Sequence, residues 1–201
     1  MRLTPFLVSL LLILCCASNM YSQDFRYIDY TIEDGLPIEL TKCTAQDELG
    51  FVWIATDEGL VRFDGEKFKT YPNALYSPYV KFLLLTGNKR LLVAHDLGID
   101  EIISQPDTTF FKPLIAGNRE ISDTTLWYPK KIFEASNGDW WISEPESVVV
   151  YRNGKIKRYK FGDDYKSNSF TRSFHFAEDI HGNLWMISYT GALFRYECMT
   201  Y

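Results

Sequence analysis

Residues 45–65 read Ala45-Gln-Asp-Glu-Leu-Gly-Phe-Val-Trp-Ile-Ala-Thr-Asp-Glu-Gly-Leu-Val-Arg-Phe-Asp-Gly65, two apolar runs separated by glycine turns. The first run follows Gly50, and the second ends at Phe63, directly before Asp64-Gly65. An Asp-Gly pair beside apolar runs is a strong signal for a β-hairpin. The stretch therefore predicts consecutive antiparallel strands joined by tight turns.

The pattern of this stretch recurs three more times along the chain. An anchor residue follows each turn, at Trp53, Leu92, Trp141 and Trp185, with separations of 39, 49 and 44 residues. A period of about 40–50 residues with four short strands per unit is typical of a β-propeller blade. We expect each anchor side chain to fill the layer between its own blade and the next one. A solenoid fits less well, because solenoid repeats are usually shorter.

The repeated unit is defined by aspartates, glycines and tryptophans at fixed spacing. In the second unit Gly87-Asn88 is predicted to form the turn, and in the third Ser147 replaces the inner glycine. Because Asp47 and Asp179 recur at equivalent turn positions, we expect them to cap turns rather than to catalyse a reaction. The motif residues are Asp47, Gly50, Trp53, Gly59, Gly98, Gly138, Trp141, Asp179, Gly182, Trp185 and Gly191.

Outside the repeats, the sequence predicts one further strand and several connectors. Residues 24–30 alternate between polar and apolar side chains, which predicts a strand before the first unit. Residues 104–129 are irregular, and we expect one outer strand at 108–111 followed by a long loop. No segment has the apolar periodicity of an amphipathic helix.

Composition excludes some functions. The 201 residues carry a net charge of −5, whereas nucleic-acid binding needs a basic face. The three histidines, His95, His175 and His181, do not form a short metal-binding motif, so we assign them structural or solvated roles and predict no metal and no cofactor. No phosphate-binding glycine loop and no nucleophile elbow is present.

The first 22 residues resemble a secretory signal peptide. Arg2 is a minimal positive region, and the apolar run 6–16 is too short to span a bilayer. Cleavage is expected between Ala17 and Gln23, while a lipoprotein signal and an uncleaved anchor remain alternatives. After cleavage two cysteines would remain, Cys43 and Cys198, which are either a disulfide or two buried thiols.

The run Tyr30-Thr-Ile-Glu-Asp-Gly-Leu-Pro37, together with residues 45–65, resembles the opening of the two-component regulator propeller. Proteins with that domain are hybrid sensor histidine kinases of Bacteroides-type bacteria, and the resemblance covers residues 23–201. It implies an all-β, partial β-propeller of about four repeat units, each a four-stranded antiparallel blade. It also implies export to the periplasm and a sensory role, with an oligosaccharide as ligand.

The chain departs from the family plan, because the family's membrane helix, kinase core and receiver do not follow the repeats. The resemblance therefore implies a fragment whose partner is the rest of a membrane-anchored sensor kinase, and no catalysis within this chain. Two alternatives remain, an exported carbohydrate-active enzyme of propeller type and a non-functional stub. An open propeller would expose a blade edge and an apolar face, so we also predict self-association of 23–201.

Ligands of propellers usually bind where the innermost strands begin, around the central channel. Counting back from the turns places these positions near 39–41, 77–79, 127–129 and 171–173. Trp127, Tyr128 and Arg172 are the candidate ligand-binding residues, since they can stack on or hydrogen-bond a sugar. The alternative is that Trp127 and Tyr128 pack the edge of a blade.

Overall fold

The computed structural model describes residues 26–161 and 173–197. Within these residues the secondary structure consists of β-strands and one 3₁₀ helix, Ile32–Asp34. No helix among them is long and apolar enough to span a membrane. The strands are β1 (Thr41–Gln46), β2 (Val52–Thr56), β3 (Gly59–Phe63), β4 (Phe68–Tyr71), β5 (Val80–Leu85), β6 (Leu91–His95), β7 (Gly98–Ser104), β8 (Thr109–Asn118), β9 (Leu126–Trp127), β10 (Lys131–Glu134), β11 (Trp140–Ser143), β12 (Ser147–Arg152), β13 (Lys155–Lys160), β14 (Phe174–Glu178), β15 (Leu184–Ser188) and β16 (Leu193–Tyr196).

The strands form four sheets, each with its strands in chain order. Blade 1 contains β1–β4, blade 2 contains β5–β9, blade 3 contains β10–β13 and blade 4 contains β14–β16. All neighbouring strands are antiparallel except β8 and β9, which are parallel. The first strand of each blade is its innermost strand, and β5 contacts both β1 and β10, while β10 contacts β14. The prediction of an all-β propeller of about four units is therefore confirmed.

The turn between the first and second strands has the same backbone hydrogen bonds in all four blades. In blade 1 the Asp47 N–H donates to Phe51 O, and the Gly50 N–H donates to Asp47 O. The equivalent turns begin at Thr86, Ala135 and Asp179. The fourth turn residue needs a positive φ, and it is glycine in blades 1, 3 and 4. In blade 2 the predicted Gly87-Asn88 pair forms the centre of the turn, and the residue with positive φ is Lys89, at 66°.

The hydrophobic core lies between the blades. Trp53 is fully buried among residues of blades 1 and 2, including Val80, Leu91 and Val93. Leu92 packs against blade 3, and Trp141 packs against blade 4. Each anchor side chain of the first three units therefore faces the following blade, because side chains alternate between the two faces of a strand.

The opposite face of blade 1 is covered by the segment that precedes it. Leu36 packs on Ile54 and Val61, and the ring of Tyr30 contacts those of Phe63 and Phe68 at centroid distances of 5.0 and 5.5 Å. The prediction of a strand at 24–30 is wrong for its described part, since 26–30 form no strand and are exposed. Alternation alone does not make a strand when no partner strand lies beside it.

Two strand predictions differ from the structure in length and number. The outer strand of blade 2 covers Thr109–Asn118 instead of 108–111, because its pairing with β7 continues past Pro113 through a change of register. The short β9 gives blade 2 a fifth strand, and blade 4 has three strands within the described residues. The predicted signal peptide, 1–22, lies outside the described residues, as does Cys198, so the disulfide with Cys43 stays a prediction.

Candidate functional site

The motif aspartates of the first and fourth units bond both to their turns and to the anchor tryptophans. Asp47 Oδ1 accepts from the backbone N–H groups of Leu49 and Phe51, each at 3.0 Å, and its Oδ2 accepts from Trp53 Nε1 at 2.8 Å. Asp179 repeats this arrangement with Trp185 Nε1 at 2.9 Å. Each carboxylate thus bonds both to its own turn and to its anchor tryptophan, which agrees with the turn-capping role expected from the sequence.

A different set of charged side chains lies where the innermost strands begin. Lys42 and Lys81 each sit at a break in the register of the first strand, between 41 and 43 in blade 1 and between 80 and 82 in blade 2. A β-bulge of this kind changes the direction of its side chain. Blade 3 contributes Lys130 and Lys131 at the start of β10. We call these four lysines the basic face.

Two aspartates pair with part of the basic face, and each lies in the turn between the second and third strands of its blade. Asp57 forms an ion pair with Lys42, and its Oδ1 lies 3.8 Å from Lys81 Nζ. Lys81 Nζ is also 3.3 Å from Asp96 Oδ1. Burial acts to raise the pKa of Asp57, but the hydrogen bond and charge of Lys42 outweigh it and hold this pKa below its usual value. These ion pairs link blade 1 to blade 2 on the central side of the structure, where the innermost strands begin.

Lys130 and Lys131 have no carboxylate partner among the described residues. Lys130 is half-buried, and burial, followed by the charge of Lys81, lowers the pKa of its ammonium group. Burial also lowers the pKa of Lys131, whose Nζ lies 2.9 Å from His175 Nδ1 of blade 4. Among the described residues, Lys42, Lys81 and Lys130 thus share the charges of two aspartates, which leaves an excess of positive charge there in an acidic protein.

Aromatic rings accompany two of these lysines. Lys81 Nζ lies 5.3 Å from the ring centroid of Tyr79, and Lys130 Nζ lies 5.9 Å from that of Tyr128. Tyr79 is 50% exposed, so its ring is accessible to a ligand. Tyr128 has a φ of 47°, a left-handed conformation that is uncommon for a tyrosine and that clusters at functional sites.

The loop before β10 is held by a buried ion pair. Glu144 is fully buried and receives two hydrogen bonds from Arg158, at 2.8 and 2.9 Å. Arg158 also donates to Thr125 O at 2.8 Å, and Glu144 Oε1 accepts from the Trp127 N–H at 2.7 Å. The pair therefore fixes the position of residues 125–130, including Trp127 and Tyr128.

The three ligand-binding residues predicted from the sequence have different positions. Tyr128 stands beside the basic face, whereas Trp127 Nε1 donates to Arg119 O at 3.1 Å and its half-buried ring packs against Tyr128. Arg172 lies outside the described residues. The sequence reasoning missed all four lysines, although the repeated Tyr-x-Lys spacing at 79–81 and 128–130 is visible in the sequence.

A cavity of about 450 Å³ opens between blades 3 and 4. Its walls include Trp141, Tyr159 and Tyr196, and the rings of Trp141 and Tyr159 stack at 6.1 Å. The equivalent pair in blade 1, Trp53 and Tyr71, contacts Phe111 of β8 in blade 2. The cavity between blades 3 and 4 therefore corresponds in position to the space that the Phe111 ring fills between blades 1 and 2.

The histidines do not combine into a site in the described part of the chain. His95 is fully buried with Nε2 3.5 Å from Asp100 Oδ1, and His181 lies exposed in the turn capped by Asp179. Within 26–161 and 173–197, no group of three or more His, Cys, Asp or Glu side chains is arranged to hold a metal ion.

Four stacked blades define the described chain as a β-propeller arrangement. No protein-family model matches the sequence, and no curated protein matches it. Its fold is similar to that of the extracellular domain of a protein described as a hybrid two-component system from B. thetaiotaomicron, with a TM-score of 0.61 and 16% identity over 87% of this chain and 24% of that chain.

Two further solved structures share the fold. The extracellular domain of a protein described as a one-component system from B. thetaiotaomicron matches with a TM-score of 0.56 and 17% identity, over 80% of this chain and 23% of that chain. An inactive variant of virginiamycin B lyase from Staphylococcus aureus, with quinupristin, matches with a TM-score of 0.52 and 16% identity, over 90% of this chain and 62% of that chain. The chain thus spans about a quarter of each B. thetaiotaomicron domain and less than two thirds of the lyase.

Proposed function

We propose that this chain is the ligand-sensing propeller portion of an exported two-component sensor, and that its ligand is an oligosaccharide. The observation that carries the proposal is the likeness of its four blades to an extracellular domain of a hybrid two-component system, at a TM-score of 0.61. In this proposal residues 1–22 direct export and are removed, residues 23–201 bind the ligand, and the rest of a membrane-anchored kinase transmits the signal.

Binding without catalysis agrees with the chemistry of the central side. Its side chains are lysines, aspartates and tyrosines, and the two aspartates are already engaged by lysines. Aromatic rings beside a few polar groups are common in the binding sites of small molecules. Ligand binding to the folded form would raise the unfolding temperature by mass action.

Export is tested by expressing the full chain in a Gram-negative host and fractionating the cells. We expect the chain in the periplasmic fraction, with an intact mass that corresponds to cleavage between Ala17 and Gln23. A chain that keeps residues 1–22 in the cytoplasmic fraction would contradict export. A mass increase from acylation at Cys15 or Cys16 would identify the lipoprotein alternative.

Ligand sensing is tested by screening the purified chain against a panel of neutral and acidic oligosaccharides. We expect one class of glycan to raise the unfolding temperature in a dose-dependent way and to be recovered unchanged. The absence of any shift, in a chain whose circular dichroism shows folded β-structure, would contradict glycan sensing.

A propeller enzyme is a second candidate, and the likeness to virginiamycin B lyase favours it. The same incubations distinguish the two, because an enzyme would convert a substrate to product with turnover. Mass spectrometry of each glycan, and of a streptogramin B substrate, after prolonged incubation provides this readout. New product masses would overturn the proposal that the chain only binds.

A further inference from the structure

We propose that the basic face, Lys42, Lys81, Lys130 and Lys131, together with Tyr79 and Tyr128, is a binding site for an acidic oligosaccharide that carries carboxylate or sulfate groups. This inference rests on the proposed function, which it deepens by naming the class of ligand.

The charge of the basic face is unbalanced. Lys42 and Lys81 share Asp57 and Asp96, whereas Lys130 and Lys131 have no carboxylate partner in the part of the chain that the structure describes. Lys130 is half-buried, and the charges of Asp96 and Asp57 offset only part of the cost of burying its ammonium group, because its pKa is still lowered. A bound anion would supply further counter-charge and restore the depressed pKa of Lys130 towards its usual value.

The lysines occupy equivalent places in successive blades. Three successive blades contribute one or two lysines each, all at the beginning of the innermost strand. Lys42 and Lys81 both form ion pairs with Asp57 Oδ1, and the charges of Lys42 and Lys81 also act on Lys130, so lysines of three blades belong to one charge cluster. Surface lysines on an acidic protein are usually scattered and solvated, whereas here β-bulges in blades 1 and 2 carry them.

Two aromatic rings accompany the ammonium groups. Tyr79 is half exposed beside Lys81, and Tyr128 lies beside Lys130 in a backbone conformation that the Glu144–Arg158 pair holds in place. A ring next to a cation contacts the apolar face of a sugar while the ammonium group binds its acidic substituent. A neutral sugar would use the rings alone, so the lysines point to an acidic one.

The experiment measures the Kd of the purified full chain for three oligosaccharides of similar length. They are an oligogalacturonate with carboxylates, a chondroitin sulfate oligosaccharide with sulfates and a neutral maltohexaose. We expect one or both acidic glycans to bind, with a Kd that rises with salt, and maltohexaose to bind far more weakly. The stronger of the two acidic glycans identifies the anionic group that the site prefers.

Lys130→Gln and Lys131→Gln are the informative variants, because neither lysine has a described carboxylate partner whose loss would destabilise the fold. Each is expected to raise the Kd for the acidic glycan about ten- to hundredfold, the range for one charged hydrogen bond. Tyr79→Ala provides a second test on an exposed side chain. The matched control is Lys112→Gln on the outer strand β8, which should leave the Kd unchanged.

Each outcome separates this inference from the proposed function. Binding of maltohexaose that equals or exceeds binding of the acidic glycans would leave glycan sensing intact and overturn the basic face as the site. Acidic-glycan binding that Lys130→Gln and Lys131→Gln do not weaken would overturn it as well. Equal binding of polyglutamate, a non-glycan polyanion, would keep an anion site here but contradict oligosaccharide sensing.

Discussion

The first and fourth units carry the same Asp-x-x-Gly-x-x-Trp motif, yet their tryptophans have different environments. Trp53 and Trp185 each donate an indole hydrogen bond to the motif aspartate, at 2.8 and 2.9 Å. Trp53 is nevertheless fully buried by blade 2, whereas Trp185 is only half-buried. The hydrogen bond is local and needs seven residues, while burial needs a neighbouring blade.

The face of blade 1 that points away from blade 2 and the face of blade 4 that points away from blade 3 also differ. The outward face of blade 1 is covered by Leu36 and Tyr30. On blade 4 the Trp185 side presents the cross-strand pair Ile187 and Leu193, which are 43% and 62% exposed. Blade 1 is therefore packed on both faces, and blade 4 is packed on the face towards blade 3.

The largest expected difference between the units comes from removing the anchor side chains. Trp53→Ala should lower the free energy of unfolding by about 3–5 kcal/mol, because it creates a cavity between two blades. Trp185→Ala should cost about 1–2 kcal/mol, since less of its surface is removed from water. Urea denaturation followed by circular dichroism measures both. Equal losses would show that burial does not distinguish the units.

The glycines that follow the anchors should differ in the same direction. Gly59 has a φ of 112°, and a Cβ there would lie 2.9 Å from Pro72 Cα and Tyr71 O. Gly191 has a φ of 86° with open space around it. We expect Gly59→Ala to cost about 2–4 kcal/mol, from backbone strain and overpacking together. Gly191→Ala should cost about 1–2 kcal/mol from strain alone, and chemical denaturation compares the two.

The exposed pair on blade 4 predicts self-association through this face. Exposed apolar patches of this kind mark interaction surfaces or aggregation sites. Leu193→Lys should shift the chain from associated species towards monomer, as measured by sedimentation velocity. Leu49→Lys is the control, because Leu49 is 49% exposed in a turn of blade 1. If both variants, or neither, changed the sedimentation profile, the blade 4 face would not be responsible.

The smallest expected effect concerns the aspartate of the fourth turn. Hydrogen bonds from Asn183 and Trp185 lower the pKa of Asp179 far below its usual value. A carboxyl group whose pKa is lower in the folded state stabilises the protein at pH values above its unfolded-state pKa, which is near 4. This stabilisation is lost as the pH falls towards the folded-state pKa. Asp179→Asn should therefore flatten the pH dependence of stability below pH 4 relative to the unaltered chain. Thermal unfolding between pH 2 and 6 measures this, and parallel curves would contradict it.

The sequence was most informative where structure depends on local chemistry. The turn positions, the order of strands and the four-unit period follow from glycine and aspartate spacing, because a tight turn constrains only its own residues. The prediction failed at 26–30, where alternation exists without a partner strand. A strand needs a hydrogen-bonded partner, which alternation in its own sequence does not supply.

The candidate site was predicted only in part for the same reason. The innermost strands begin at Thr41, Val80, Lys131 and Phe174, within about two residues of the predicted positions, since they start about four to six residues before the turns. The convergence of Lys42, Lys81 and Lys130 was not predicted, because these lysines are 39 and 49 residues apart and each alone resembles a solvated surface charge. The β-bulges that redirect Lys42 and Lys81 also leave no clear signal in the sequence.

What the amino-acid sequence determined by itself is the repeating unit: hairpin turns, an anchor residue and the aspartate that bonds it. Each of these needs only residues that are close along the chain. The tertiary structure alone decided which anchors are buried, which lysines share one electrostatic environment and which apolar face stays exposed. Those properties depend on the packing of one blade against the next, which brings together side chains about 40–50 residues apart, the repeat length of a propeller blade.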